Sequence, residues 1–165
     1  MKTQRALITL IIGLFFILDR FFKWQALHAW ASDRLIYRWL GWHPFFNPGV
    51  AFGIPVPTGV VVALTVPILF LLGYLLASRN TYHVAHSTNE PNGESMVTCY
   101  ALVFAGALSN LIDRIVYGHT VDYVLIFTGV INLADVMIVG GFVVYFFMMK
   151  SKISNTSFLE ERGGE

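Results

Sequence analysis

Charge is scarce in this sequence. Asp, Glu, Lys and Arg together make 13% of its 165 residues, about half of what a soluble domain carries. Hydrophobic residues make 56%, among them 14 Phe, 7 Tyr and 4 Trp, so lipid is the expected solvent for much of the chain. Basic runs are missing and the net charge is only +1, so nothing tracks a phosphate backbone and no nucleic-acid partner is expected. The single cysteine, Cys99, excludes an intramolecular disulfide and any multi-cysteine metal site. Its expected role is packing. Neither GxSxG nor HExxH occurs, and Cys99 has no His near it in sequence. Serine, cysteine and zinc hydrolases therefore lack their signatures.

What is present is four apolar segments. Allowing for polar edges, they predict transmembrane helices over roughly 6–24, 58–77, 96–112 and 130–149, each near the ~20 residues that cross a bilayer. The N-terminus also has the look of a secretory signal, with Ala29-Trp30-Ala31 resembling a cleavage site. Asp19, Arg20 and Lys23 hold that tripeptide too far from the apolar core, and an uncleaved first helix is favoured. Residues 33–57 mix aromatics with Gly and Pro and predict short strands resting at the membrane boundary. The expected fold is an α-helical polytopic membrane protein with four transmembrane helices and a small extracytoplasmic β-containing subdomain from the first loop. Residues 1–150 form one domain. The polar second loop (79–95) is expected to be mobile, and 151–165 to be a disordered cytoplasmic tail. Basic residues are six on the side of the termini against five on the other, which favours cytoplasmic termini, more so if Lys23 and Arg114 are site residues.

The acids are unevenly placed. All five glutamates lie in the second loop or the tail, whereas Asp19, Asp113, Asp122 and Asp135 sit in or beside apolar segments. An ionisable group at membrane depth costs about 2.5–3.5 kcal/mol on insertion scales and marks function by default. Asp19 and Lys23 are spaced i,i+4 on one helix face. Val103, Gly106, Asn110 and Asp113 share a face that turns polar at its end, with Arg114 adjoining, and Asn132 is one turn before Asp135. With alternating spans, all these groups converge at one depth. Asp19–Lys23 and Asp113–Arg114 read equally well as structural pairs, and Asn110 and Asn132 as interhelical glue. Asp122 and Asp135 are different, because no cation stands near either in the stretch 121–141.

Two carboxylates at close range share a proton and titrate as a pair. One can serve as base on a water while the other polarises a carbonyl oxygen, as in aspartic proteases. Such chemistry needs neither nucleophilic side chain nor metal, and no cofactor is expected. Rival readings are a proton-coupled transporter, which would set acids near mid-helix, and a non-catalytic scaffold, in which both aspartates would tolerate Asn. Other intramembrane aspartyl proteases carry a GxGD signature, which is absent.

Five pieces occur in order along the chain: Asp19 with Lys23, "NPGVAFG" at Asn47–Gly53, "GALSNLIDR" at Gly106–Arg114, "GHTVDY" at Gly118–Tyr123 and "INLAD" at Ile131–Asp135. With them the chain resembles the prolipoprotein signal peptidases, the type II signal peptidases of bacteria. The resemblance implies a membrane-embedded aspartic endopeptidase that cuts just before a diacylglyceryl-modified cysteine, with Asp122 and Asp135 as its dyad. It implies that Asn47, Gly53, Asn110, Arg114 and Asn132 are site residues supported by Asp19, Lys23 and Asp113. Lipid-modified prolipoprotein and membrane lipids are the implied partners, the protein acting as a monomer in the inner membrane with its site near the extracytoplasmic face. Three departures stand out: Phe22 where a small hydroxyl residue often precedes the Lys, Ser109 in place of Gly, expected to loosen helix packing, and a short connection between the two aspartates.

Overall fold

The computed structural model describes residues 2–50, 54–86 and 91–163. Four helices carry the chain: α1 (Lys2–His28), α2 (Thr58–His86), α3 (Pro91–Tyr117) and α4 (Leu133–Gly163). α2, α3 and α4 each hold a stretch long and apolar enough to cross a bilayer, at Thr58–Ser78, Met96–Tyr117 and Leu133–Lys150. α1 has the length to span at 27 residues, but Asp19, Arg20 and Lys23 dilute its apolar character. All three turn their charges toward α3 and away from lipid. Elsewhere the helices show lipid their large side chains, such as Leu10, Phe70 and Phe147. The molecule is a four-span membrane protein.

The helices outrun the sequence-based expectations. α2 continues to His86 and α3 begins at Pro91, so most of the expected mobile loop is helical; residues 87–90 lie outside the described part. α4 runs through residues 151–163, where a disordered tail was expected. Polarity suggested the tail, but polarity alone does not break a helix. No Pro or Gly stands between Lys150 and Gly163 to do so.

The β subdomain also differs in origin. β1 (Arg34–Tyr37) and β2 (Leu40–Asn47) come from the first loop as expected, but β3 (Thr120–Ile126) and β4 (Gly129–Ile131) come from the third. The expected fourth helix started at 130, where β4 now lies. The four strands form one antiparallel sheet in chain order. Thr120–Ile126 and Gly129–Ile131 are β-branched and apolar enough to read as the approach to a helix, and only pairing with β2 settles the matter.

A one-residue slip in β2 decides where Asn47 points. Trp42 pairs with Val124, yet Phe45 pairs with Asp122 and Asn47 with Thr120. The irregularity falls at His43-Pro44, where proline cannot donate to a ladder and is tolerated. Because side chains alternate with period two, the slip moves Asn47 onto the face of Asp122. Without it, Asn47 would face the other way.

Beneath the sheet Ala26, Val121 and Tyr123 form the buried core, with Phe22, Trp42 and Leu133 packed around them. α3 and α4 cross closely near their small residues. A Cβ on Gly106 would come within 2.5 Å of the Ala134 carbonyl oxygen, and one on Gly141 within 2.9 Å of that of Cys99. Only glycine permits this approach, and it sets Asn110 beside the start of α4.

Candidate active site

At one end of the helices, the i,i+4 pair of α1 enters a closed ionic cluster. Lys23 Nζ meets Asp19 Oδ2 at 3.0 Å, Asp113 Oδ2 at 2.8 Å and Asn110 Oδ1 at 2.7 Å, which uses all three ammonium protons. Arg20 binds the other oxygen of Asp113. The Lys23, Asp19 and Asp113 side chains have no solvent exposure. Two cations face two carboxylates. The sequence reading of Asp113–Arg114 as a pair is therefore corrected: adjacent helical residues diverge, and Asp113 pairs with α1. Arg114 instead donates through Nη2 to the Gly49 carbonyl oxygen at 3.1 Å, tying down the chain beyond β2.

Asn132 caps α4. Its Oδ1 accepts the Asp135 backbone N–H at 2.8 Å, and Asp135 Oδ2 accepts that of Asn132 at 3.3 Å. This is a reciprocal capping box with Asp in the third position. Asp19 Oδ1 also accepts the Ala134 backbone N–H at 3.1 Å, so the ionic cluster and the helix start are joined.

The two remaining acids meet only amides. Asp122 accepts Asn132 Nδ2 at 2.6 Å on one oxygen and Asn47 Nδ2 at 3.0 Å on the other. Asp135 Oδ1 accepts Asn110 Nδ2 at 2.8 Å. Among the described residues neither aspartate forms an ion pair. The orientation of each Asn is forced by a group that can only donate. Asn110 Oδ1 faces the Lys23 ammonium, Asn132 Oδ1 faces the Asp135 N–H, and Asn47 Oδ1 accepts the Gly49 N–H at 3.0 Å. Each is left with its NH₂ turned to a carboxylate. A further bond, Asn132 Nδ2 to Asn110 Oδ1 at 3.1 Å, links the supports of the two acids.

Burial, and then the Asp135 carboxylate, push the Asp122 carboxyl up from its ordinary 3.8 to about 6, against the downward pull of Asn47 and Asn132. A carboxyl in that state can hold a proton near neutrality. Two acids tied to one amide network, one of them able to keep its proton, supply groups for acid–base work on a water and a carbonyl.

Residues 11–150 match the family model described as signal peptidase (SPase) II. The chain belongs to the signal peptidase II family. Among curated relatives, the lipoprotein signal peptidase of Mesorhizobium japonicum is 39% identical over 110 residues, covering 61% of this chain and 59% of that protein. That of Xanthomonas oryzae pv. oryzae is 31% identical over 150 residues, covering 82% and 84%. A bacterial membrane enzyme solved by the in meso method at 2.3 Å resolution shares the fold, with a TM-score of 0.70, 24% identity and coverage of 93% of this chain and 91% of that one.

In this signal peptidase II, nine of the ten residues singled out from the sequence fall into one connected network; Gly53 lies outside the described residues. Three other residues were missed as members. Arg20 reads as a loop charge; it stands about 100° around α1 from Asp19, and its long side chain carries the guanidinium to Asp113. Ser109 ties α3 to α1 by donating to Asp19 Oδ2 at 2.6 Å and is fully buried, so it does not loosen the packing. Tyr123 gave no signal beyond following Asp122.

Proposed function

We propose that Asp122 and Asp135 form the catalytic dyad of this peptidase, sharing one proton and cutting a diacylglyceryl-modified prolipoprotein just before its lipidated cysteine. The chain is a multi-pass inner-membrane peptidase that processes prolipoprotein signal peptides. The observation that carries the dyad is that these two acids, Asp122 buried and Asp135 half-buried, meet only neutral amide donors, while neighbouring acids are matched by cations. In the proposed step the ionised carboxylate takes a proton from a water, and the water oxygen attacks the scissile carbonyl carbon. The protonated carboxyl donates to the carbonyl oxygen. Collapse of the tetrahedral adduct returns that proton to the pair, and the leaving amine takes the other. Neither acid becomes covalently attached.

Arg20, Lys23 and Arg114 are occupied at the site, which leaves six basic residues on the side of the termini against Arg34 and Arg38 opposite. This supports cytoplasmic termini and an extracytoplasmic site. The diacylglyceryl chains would hold the scissile bond at that depth, each buried CH₂ contributing about 0.8 kcal/mol. With Asn47 and Asn132 donating to Asp122, support of the acid is their first role, ahead of binding peptide backbone. The proposed active species is the monomer. The test incubates purified protein with matched preproteins, with and without the diacylglyceryl group, scored by gel shift. Selective cleavage of the lipidated form is expected, with little effect of exchanging the mature domain. Equal rates for the two would remove lipid-depth selection.

A further inference from the structure

The first three N–H groups of α4 are each taken by a side chain. Asn132 takes that of Asp135 and Asp19 that of Ala134, and the first, on Leu133, donates to the Tyr123 hydroxyl oxygen at 3.0 Å. The same hydroxyl donates its proton to Asp19 Oδ1 at 3.0 Å. Burial, and then the Asp19 carboxylate, keep the phenol above its ordinary range, so it has that proton to give. The ring is held between α1 and β2, 5.7 Å from Phe22 and 5.1 Å from Trp42 between centroids. It is 3% exposed, and no catalytic step uses it.

Tyr123 therefore touches both halves of the dyad's support. Its backbone follows Asp122 on β3, so the wedged ring fixes the strand that presents one acid. Its hydroxyl closes the first turn of α4, whose third residue is the other. A free helix N-terminus frays, and a shift of about 1 Å at a reacting group can cost about 100-fold in rate. We propose that Tyr123 is a positioning residue for catalysis, locking the start of α4 to β3 so that Asp135 keeps its place opposite Asp122. The inference rests on the dyad reading.

Tyr123→Phe keeps the ring and removes only the hydroxyl. In purified full-length protein it should lower kcat about tenfold on lipidated preprotein and leave KM within twofold. Amide hydrogen exchange at Leu133 and Ala134 should quicken, while mid-helix protection in α4 stays as in the wild type. Ser109→Ala provides the control variant, because it takes a bond from Asp19 without touching Leu133, and its loss of kcat should be clearly smaller. Wild-type exchange at Leu133 in Tyr123→Phe would overturn the inference whatever the turnover, which separates its failure from that of the peptidase reading. A kcat within twofold of wild type, or an equal loss in Ser109→Ala, would overturn it as well.

Discussion

Two groups of aspartates share one hydrogen-bond network and meet opposite fates. Asp19 and Asp113 face Lys23 and Arg20, and every oxygen is claimed by a cation, a hydroxyl or a backbone N–H. Asp122 and Asp135 receive only Asn amides and backbone N–H groups. The first arrangement settles its charge and holds α1 against α3. In the second, charge is tolerated without being neutralised, which keeps a proton in play. On the proposed reading, the same side chain becomes brace or reagent according to whether its partner can carry a positive charge.

The comparison is tested most severely by Asn in place of either dyad acid. Asp135→Asn or Asp122→Asn should keep the fold and lower turnover by at least the ~10²–10⁴-fold associated with general acid–base groups; near wild-type cleavage in either would end the assignment. On the other side, Lys23→Met leaves two buried carboxylates short of a partner. It should cost about 3–5 kcal/mol of stability, read as a fall in thermal midpoint and in yield from the membrane, whatever the activity.

A subtler contrast comes from pH. The folded Asp122 carboxyl titrates near 6 against an ordinary 3.8, so the unfolded chain ionises first as pH rises. Below about pH 4 both states hold the proton and the full stability is present. It is lost as pH climbs through 6, by about 3 kcal/mol for a shift of this size. Asn at position 122 imitates the protonated acid, so Asp122→Asn should match the wild type in melting temperature near pH 4 and exceed it at pH 8. The alkaline limb of kcat/KM should likewise fall near or above pH 6, well beyond an ordinary carboxylate; a limb near pH 4 would remove the shared proton. The smallest effect is expected at Cys99, packed beside Met148 some two turns or more from the site. Cys99→Ala should stay within a few-fold of wild-type activity, and thiol reagents should not inhibit.

Much of this site could be read from sequence because its signals are local. Asp19–Lys23 and Asn132–Asp135 are one-turn spacings, and acids in apolar surroundings stand out at once. The membrane-spanning helices were legible for the same reason. Tertiary pairing was not. Nothing near Thr120–Ile126 says that it will add to a sheet begun at Arg34, and nothing at His43-Pro44 says that a slipped register will turn Asn47 toward Asp122. Tyr123 escaped because a buried phenol with two bonds looks, in sequence, like any aromatic of a core.

The joining of β2 to β3 also bears on the order of synthesis. Asn47 is made early, but its strand partner and Asp122 emerge some 75 residues later, after α3, and Asp135 later still. α1 must enter the bilayer while Arg20 lacks Asp113, with only the Asp19–Lys23 contact available within its own length. That contact lets the first span wait. The ribosome has made most of the chain before the two acids can meet, so, with the dyad as proposed, a growing or truncated chain would have no assembled pair with which to cut its neighbours in the membrane.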